Sequence, residues 1–219
     1  VISIFGGEPL LHPRIEKVLE AIRQSWPNAV IRLITNGYLL RKHDPETWFK
    51  FGGLEMQVSV HRHDHEQIIT KEIKRIVSCR KDWRITRSML IGHKQLELHN
   101  KDLTIYKSKF KTFVMPYRLE SGELKPFRSD PAKAHSICGS PDTPILYRNR
   151  LYKCAPLPNI LELDKGKHYK YEGVGQYGDI ESIVDNINKP ESVCAMCPDN
   201  RDHSIDHFDK ENVRVKDID

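Results

Sequence analysis

The strongest constraint on the fold lies in the first 37 residues, where two short apolar runs flank one amphipathic stripe. Val1–Phe5 and AVIRLIT (29–35) are apolar and β-branched without clean alternation, as in strands buried on both faces of a parallel sheet. Between them Ile15, Val18, Leu19 and Ile22 repeat at helical spacing, with Pro13 in the first turn and Pro27-Asn28 closing the element. Strand, helix and strand of these lengths make a βαβ unit, which crosses over right-handed to a parallel neighbour. The first strand stops at Gly6-Gly7, where the missing Cβ atoms let the backbone turn sharply and approach a ligand. Glu8 and Pro9 follow, just outside the carboxyl end of a strand, where α/β folds place ligand chemistry. A glutamate there can equally cap the next helix, and the sequence alone leaves both readings open. The second strand closes on Thr35-Asn36-Gly37.

Downstream, a short helix is expected over Pro45–Lys50, and LEMQVSVH (54–61) then alternates. Leu54, Met56, Val58 and Val60 share one face, and Glu55, Gln57, Ser59 and His61 share the other. In a barrel ringed by helices the polar face looks into the lumen, which makes Ser59 and His61 candidate site residues. In an open antiparallel sheet the same face would meet water. A helix is predicted over His63–Ser78, with Cys79 at its end as a partly buried structural thiol. WRITRSMLI (83–91) reads as the next strand, and Arg87 interrupts its apolar face. A guanidinium there needs Glu8, Glu55 or the carboxylate of a bound amino acid as partner, unless the strand lies at an edge and Arg87 reaches solvent. Lys94–Lys111 has no clear assignment, and KTFVMPYR (111–118) is a further strand broken at Pro116. The expected organisation is a barrel part over 1–115, an aperiodic linker over 116–137, a cysteine-bearing α+β part over 138–198 and a charged tail over 199–219, helical or disordered.

No apolar run is long enough to span a bilayer, and 38% hydrophobic with 30% charged residues is ordinary for a globular chain. A net charge of +5 permits RNA or an acidic peptide as substrate without arguing for either. Five cysteines, an odd number with no export signal, point away from a disulfide framework and towards thiolate metal ligation in a reducing cytoplasm. Four of them are clustered. Cys138 and Cys154 bracket PILYRNRLYKC, a hairpin that pairs Ile145–Tyr147 with Leu151–Lys153 across Arg148-Asn149-Arg150. After a predicted helix over Ile180–Ile187 comes Cys194-Ala-Met-Cys197. Spacing alone assigns this four-thiolate set neither to zinc nor to an iron–sulfur cluster, although two tight Cys-x-x-Cys pairs would be commoner for zinc.

The run Gly6-Gly7-Glu8-Pro9 before a helix resembles the Gly-Gly-Glu-Pro motif of the radical S-adenosylmethionine (SAM) enzymes, and Thr35-Asn36-Gly37 resembles the turn ending their third strand. The four cysteines resemble the twitch form of the auxiliary-cluster domains that follow such barrels, of which SPASM is the larger form. Asn149 stands near the place of the hairpin glycine, and no cysteine follows Cys197. The resemblance implies a partial (β/α)6, TIM-like barrel of parallel strands followed by a domain with one auxiliary [4Fe–4S] cluster on Cys138, Cys154, Cys194 and Cys197. It implies SAM bound by Gly6, Gly7, Glu8, Pro9, Asn36, Ser59, His61 and Arg87, with the methionine ammonium at Glu8 and its carboxylate at Arg87. It further implies a small-molecule or peptide substrate (nucleoside, sugar or cofactor precursor included) and a reductant such as flavodoxin or ferredoxin.

The family's Cys-x-x-x-Cys-x-x-Cys motif, which binds the first [4Fe–4S] cluster, would precede Val1 and does not occur in these residues. The expectation is therefore an N-terminally truncated enzyme that needs upstream sequence for activity. The alternative is a non-catalytic, zinc-stabilised binding protein on a barrel remnant.

Overall fold

The computed structural model describes residues 1–61, 64–90, 93–108, 112–114, 116–121, 123–164, 167, 175–200 and 204–206. The chain divides into two compact units, with Val1–Lys111 in the first and Thr112–Asp206 forming the second. The first contains β1 (Ile2–Ile4), α1 (Ile15–Ser25), β2 (Ile31–Thr35), β3 (Leu54–Ser59), α2 (Glu66–Val77), β4 (Arg84–Leu90), β5 (His93–His99) and β6 (Leu103–Ser108). These strands form one sheet in the order β1-β2-β3-β6-β5-β4. β1, β2, β3 and β6 are parallel neighbours, with Ile4 beside Leu33 and Met56 beside Ile105. β5 is antiparallel to β6, and β4 to β5. The unit is α/β with a mostly parallel sheet.

Alternation fixes which side of the sheet is covered. Ile31, Leu33, Leu54, Met56, Val58, Leu103 and Ile105 are buried to 1% exposure or less. They share a core with Ile15 and Leu19 of α1 and with Ile69, Ile73 and Ile76 of α2. Each such side chain contributes about 1.5–3 kcal/mol by leaving water. The short helix foreseen at Pro45 is a 3-10 helix, Pro45–Phe49, which buries Trp48 and Phe49. One cation fastens the loops around α1. Arg23 donates through Nε to Phe51 O (2.8 Å), through Nη1 to Pro27 O (2.8 Å) and Ala29 O (2.7 Å), and through Nη2 to Gly52 O (2.7 Å).

The stretch from Lys94 to Lys111, unassigned from sequence, carries β5 and β6. They meet at a tight turn in which Asn100 Oδ1 accepts from Asp102 N (3.0 Å) and Asn100 N donates to Leu103 O (2.8 Å). WRITRSMLI is therefore not a parallel strand beside β3. It forms the outer arm of an antiparallel hairpin, and β6 takes the place next to β3.

The second unit contains β7 (Thr112–Val114), β8 (Arg118–Glu120), β9 (Glu123–Lys125), α3 (Pro131–Ser136), β10 (Ile145–Tyr147), β11 (Arg150–Tyr152), α4 (Pro156–Asp164), β12 (Gln176–Tyr177), α5 (Ile180–Asn186) and β13 (Ser204–Asp206). β10, β11 and β12 form an antiparallel sheet, β8 pairs with β9, and β13 pairs with β7. The span 116–137 is thus not aperiodic, because a hairpin and a helix occupy it. Part of the expected helical or disordered tail is strand, while 201–203 and 207–219 lie outside the described residues. The β10–β11 turn is one residue shorter than the sequence reading. Arg148 (φ 48°) and Asn149 (φ 60°) are both left-handed, the two-residue type I′ geometry that matches strand twist. Tyr117, Tyr152, Leu157, Ile160, Val193 and Met196 form this unit's core.

Two left-handed glycines of the first unit make a paired test of packing against backbone cost. A Cβ on Gly37 (φ 75°) would stand 2.5 Å from Val58 Cγ1, whereas one on Gly52 (φ 50°) would meet nothing within 4 Å. Gly52→Ala should cost about 1 kcal/mol of unfolding free energy, the left-handed penalty alone. Gly37→Ala should cost about 2–4 kcal/mol, because overpacking adds to that penalty. Urea unfolding of the two variants measures the difference.

Candidate functional site

The carboxyl ends of β1, β2, β3 and β6 lie side by side, since these strands are parallel neighbours. Glu8, Asn36, Ser59 and His61 follow or end β1, β2 and β3, so the topology gathers them at one end of the sheet. Glu8 holds this end together. Its Oε1 accepts from Leu10 N (3.0 Å) and Thr35 Oγ1 (2.6 Å), and its Oε2 accepts from Asn36 N (2.8 Å). Glu8 is also the N-cap of the 3-10 helix Pro9–Leu11, with Pro9 in its first turn. The capping reading of Glu8 is the one this geometry bears out. A carboxylate offers about four lone-pair sites, and the three bonds leave one on Oε2 for a further donor. Gly6 and Gly7 are exposed, and a Cβ on either would meet nothing within 4 Å, so their backbone stands open to approach.

The polar face of β3 continues across the sheet. Arg32 Nη2 pairs with Glu55 Oε2 at 2.8 Å, Tyr106 Oη donates to Gln57 Oε1 at 3.2 Å, and Gln57 Nε2 donates to Ser108 Oγ at 3.3 Å. Ser59 Oγ lies 3.2 Å from Ser108 Oγ, and both serines are buried. His61 is exposed just past β3. Arg87 lies in β4, at the opposite edge of the sheet from β1, opposite Leu96 of β5, and its side chain lies outside the described residues.

The second unit gathers the four cysteines foreseen from spacing. Cys138, Cys154, Cys194 and Cys197 line one cavity of about 310 Å³, while Cys79 lies at the end of α2 in the first unit. Each cysteine has a different anchor. Asp130 caps α3 through Oδ1 to Lys133 N (2.9 Å), and Cys138 N donates to His135 O (3.1 Å) just past that helix. Cys154 follows β11 and leads into α4. The 3-10 helix Ser192–Met196 carries Cys194 and ends at Cys197, and its Ala195 and Met196 carbonyls accept from Ser129 N (2.9 Å) and Phe127 N (3.2 Å).

Beside Cys154, the Lys153 side chain is 3% exposed. Its Nζ donates to Asn186 O (2.8 Å) and Ile187 O (2.9 Å) at the end of α5 and lies 3.3 Å from Glu191 Oε1. Glu191 also accepts from Gly175 N (3.0 Å) and from the Tyr177 hydroxyl, and its backbone oxygen accepts from Cys194 N (2.9 Å). Burial pushes the Cys154 thiol up to about 11 and the Cys197 thiol up to about 12, from an ordinary value near 9. Cys194 is raised for the same reason, with Lys153 acting in the opposite direction.

Among the described residues, no group of three or more His, Cys, Asp or Glu side chains is placed to hold a metal ion directly. A single tetrahedral zinc would draw four sulfurs to about 3.8 Å from one another, from its Zn–S length of about 2.3 Å. Four thiols lining one cavity are donors that zinc and an iron–sulfur cluster both accept. The donor chemistry fits an iron–sulfur cluster, with Cys138, Cys154, Cys194 and Cys197 as the holding residues. Sequence reasoning found those four and missed Lys153 and Glu191, whose partners are mostly remote in the chain, and His135, which lines the same cavity. No protein-family model and no curated protein matches this chain.

Two expected outcomes follow from this geometry. Glu8→Gln turns one acceptor oxygen into a donor among three donors and should cost about 1.5–3 kcal/mol of stability without any ligand, as read by thermal or urea melts. In the metal-free chain the raised thiol values stabilise the fold below pH 9, and that stability is lost as the pH rises through 9 towards 11–12. Alkylation followed by mass spectrometry should accordingly label exposed Cys138 first, with Cys154 and Cys197 lagging until the pH passes about 9.

Proposed function

We propose that the chain is part of a radical SAM enzyme, and that its second unit holds one auxiliary [4Fe–4S] cluster. The observation carrying this reading is the convergence of Cys138, Cys154, Cys194 and Cys197 on a single cavity. Support also comes from Gly6-Gly7-Glu8-Pro9 at the carboxyl end of a parallel strand, with one acceptor site of Glu8 left for a ligand. In this reading β1, β2, β3 and β6 are staves of a partial (β/α)6 barrel. The fourth acceptor site of Glu8 receives the ammonium of SAM, while Gly6, Gly7, Pro9, Asn36, Ser59 and His61 shape the surrounding pocket. Arg87 stands in β4, five strand positions from β1, so the carboxylate of a SAM held at Glu8 is left to another group.

The family's first [4Fe–4S] cluster, whose cysteine triplet does not occur in these residues, would supply the electron that splits SAM into methionine and a hydrogen-abstracting 5′-deoxyadenosyl radical, and the auxiliary cluster would relay or accept an electron. The protein's share is to bind, orient and shield. Glu8 fixes the ends of β1 and β2 together, and Lys153 places a fixed positive charge beside the thiolates. The substrate class is a small molecule or a peptide, and the electron comes from a reductant protein of the flavodoxin or ferredoxin type. No helix among the described residues is long and apolar enough to cross a membrane, and the proposed compartment is the cytoplasm.

Anaerobic reconstitution with ferrous iron and sulfide tests the cluster. About four irons and four sulfides per chain are expected, with strong losses for alanine at Cys154, Cys194 or Cys197 and none for Cys79→Ala. Uptake of one zinc without iron or sulfide would overturn the cluster reading. For the catalytic half, a form extended upstream of Val1 should carry the cysteine triplet and release 5′-deoxyadenosine when reduced with SAM. An extended form with the triplet that binds no SAM sinks it.

A further inference from the structure

His135 lies on α3, three residues before Cys138, and lines the cavity that the four cysteines share. Among the described residues only two buried side-chain nitrogens lack a hydrogen-bond partner, Trp48 Nε1 and His135 Nε2. A buried polar atom without a partner costs about 1–3 kcal/mol, and His135 is a cavity-lining residue whose Nε2 has that need unmet. Two other polar groups of the wall already have partners. Lys153 directs its ammonium at Asn186 O, Ile187 O and Glu191, and so adds charge without a free proton to donate. The Cys138 sulfur already accepts from Ser140 N at 3.4 Å. His135 is therefore the wall residue with an unused, fully buried nitrogen beside four thiols.

We propose that His135 donates a hydrogen bond from Nε2–H to a sulfur of the group bound between the cysteines. This inference rests on the cluster reading above. A sulfur that accepts a hydrogen bond better tolerates the extra negative charge of the reduced cluster, so His135 is a positioning and tuning residue that raises the reduction potential. Lys153, the wall's only described ammonium, is committed to α5 and Glu191, so His135 Nε2 is the buried side-chain nitrogen left to address the sulfur.

The test uses the full chain, reconstituted anaerobically with ferrous iron and sulfide, in wild-type, His135→Phe and His135→Gln forms. Gln reaches as far as Nε2 with an amide N–H, whereas Phe fills the space without a donor. Failure of the wild-type chain to assemble a cluster overturns the cluster reading and this proposal with it. With clusters assembled, redox titration followed by electron paramagnetic resonance should show His135→Phe reduced at lower potential. The expected change is at least tenfold in the equilibrium, about 59 mV for one electron, with His135→Gln close to wild type. Should His135→Phe fail to fold, the wild-type protein still decides the matter. Electron–nuclear double resonance of the reduced cluster, with histidine labelled by ¹⁵N, should detect a weakly coupled nitrogen and an exchangeable proton lost in D₂O. Strong coupling would make His135 a ligand and overturn the donor assignment, and so would the absence of any histidine coupling. Equal potentials in wild type and His135→Phe would also overturn it.

Discussion

The second unit depends on one buried ammonium. Lys153 sits 3% exposed between the end of α5 and Glu191, and its three contacts join segments far apart in the chain. Taking an ammonium out of water costs several kcal/mol unless its protons are all received. Here two helix-end carbonyls, which carry the negative pole of α5, and a carboxylate receive them. The same Glu191 holds Gly175 N and Tyr177 through its side chain and Cys194 N through its backbone oxygen. One ion pair thereby positions the residue next to Cys154 and the turn that begins Cys194–Cys197. Close packing sharpens the arrangement, since a Cβ on Gly175 (φ 61°) would stand 2.6 Å from Leu157.

The first unit uses the opposite device, an anion that gathers protein donors. Glu8 draws a backbone N–H from its own turn and a hydroxyl and an N–H from the end of β2. The bonds span 27 and 28 residues of chain, so they fix where two strand ends stand relative to each other. A carboxylate so held is rigid and only partly satisfied. That combination suits a group that must meet a cation in one orientation.

How much of this was legible depended on whether a signal was local. Period decided β3, α1 and α2, because apolar spacing maps directly onto burial of residues such as Met56 and Ile76. Unbroken apolar runs gave β1 and β2, but β1 is an edge strand with Ser3 and Phe5 exposed and is not buried on both faces. The β10–β11 hairpin was visible in its turn residues, and the cysteine set in its spacing. β5 and β6 escaped because HKQLELH (93–99) keeps only two apolar residues, although Asn100-Lys101-Asp102 followed by the alternation of LTIYKS (103–108) was a usable turn-and-strand signal. Arg23, Lys153 and His135 could not have been singled out. Their roles are set by carbonyls, a carboxylate and a cavity that come near them only once the chain has folded.

The spacing of the thiols along the chain has a topological consequence. Residues 138 and 197 lie at the two ends of a 60-residue span, and residues 154 and 194 divide it into loops. A single group gripped by all four is a cross-link with four arms, and its outermost ring encloses nearly the whole of the second unit's small core. By the loop-closure relation for a single cross-link, tying off a ring of that length removes about 4 kcal/mol worth of freedom from the unfolded chain. The bound group would then act as a clasp as well as a reagent, adding to the stability of a unit whose metal-free fold already buries its core.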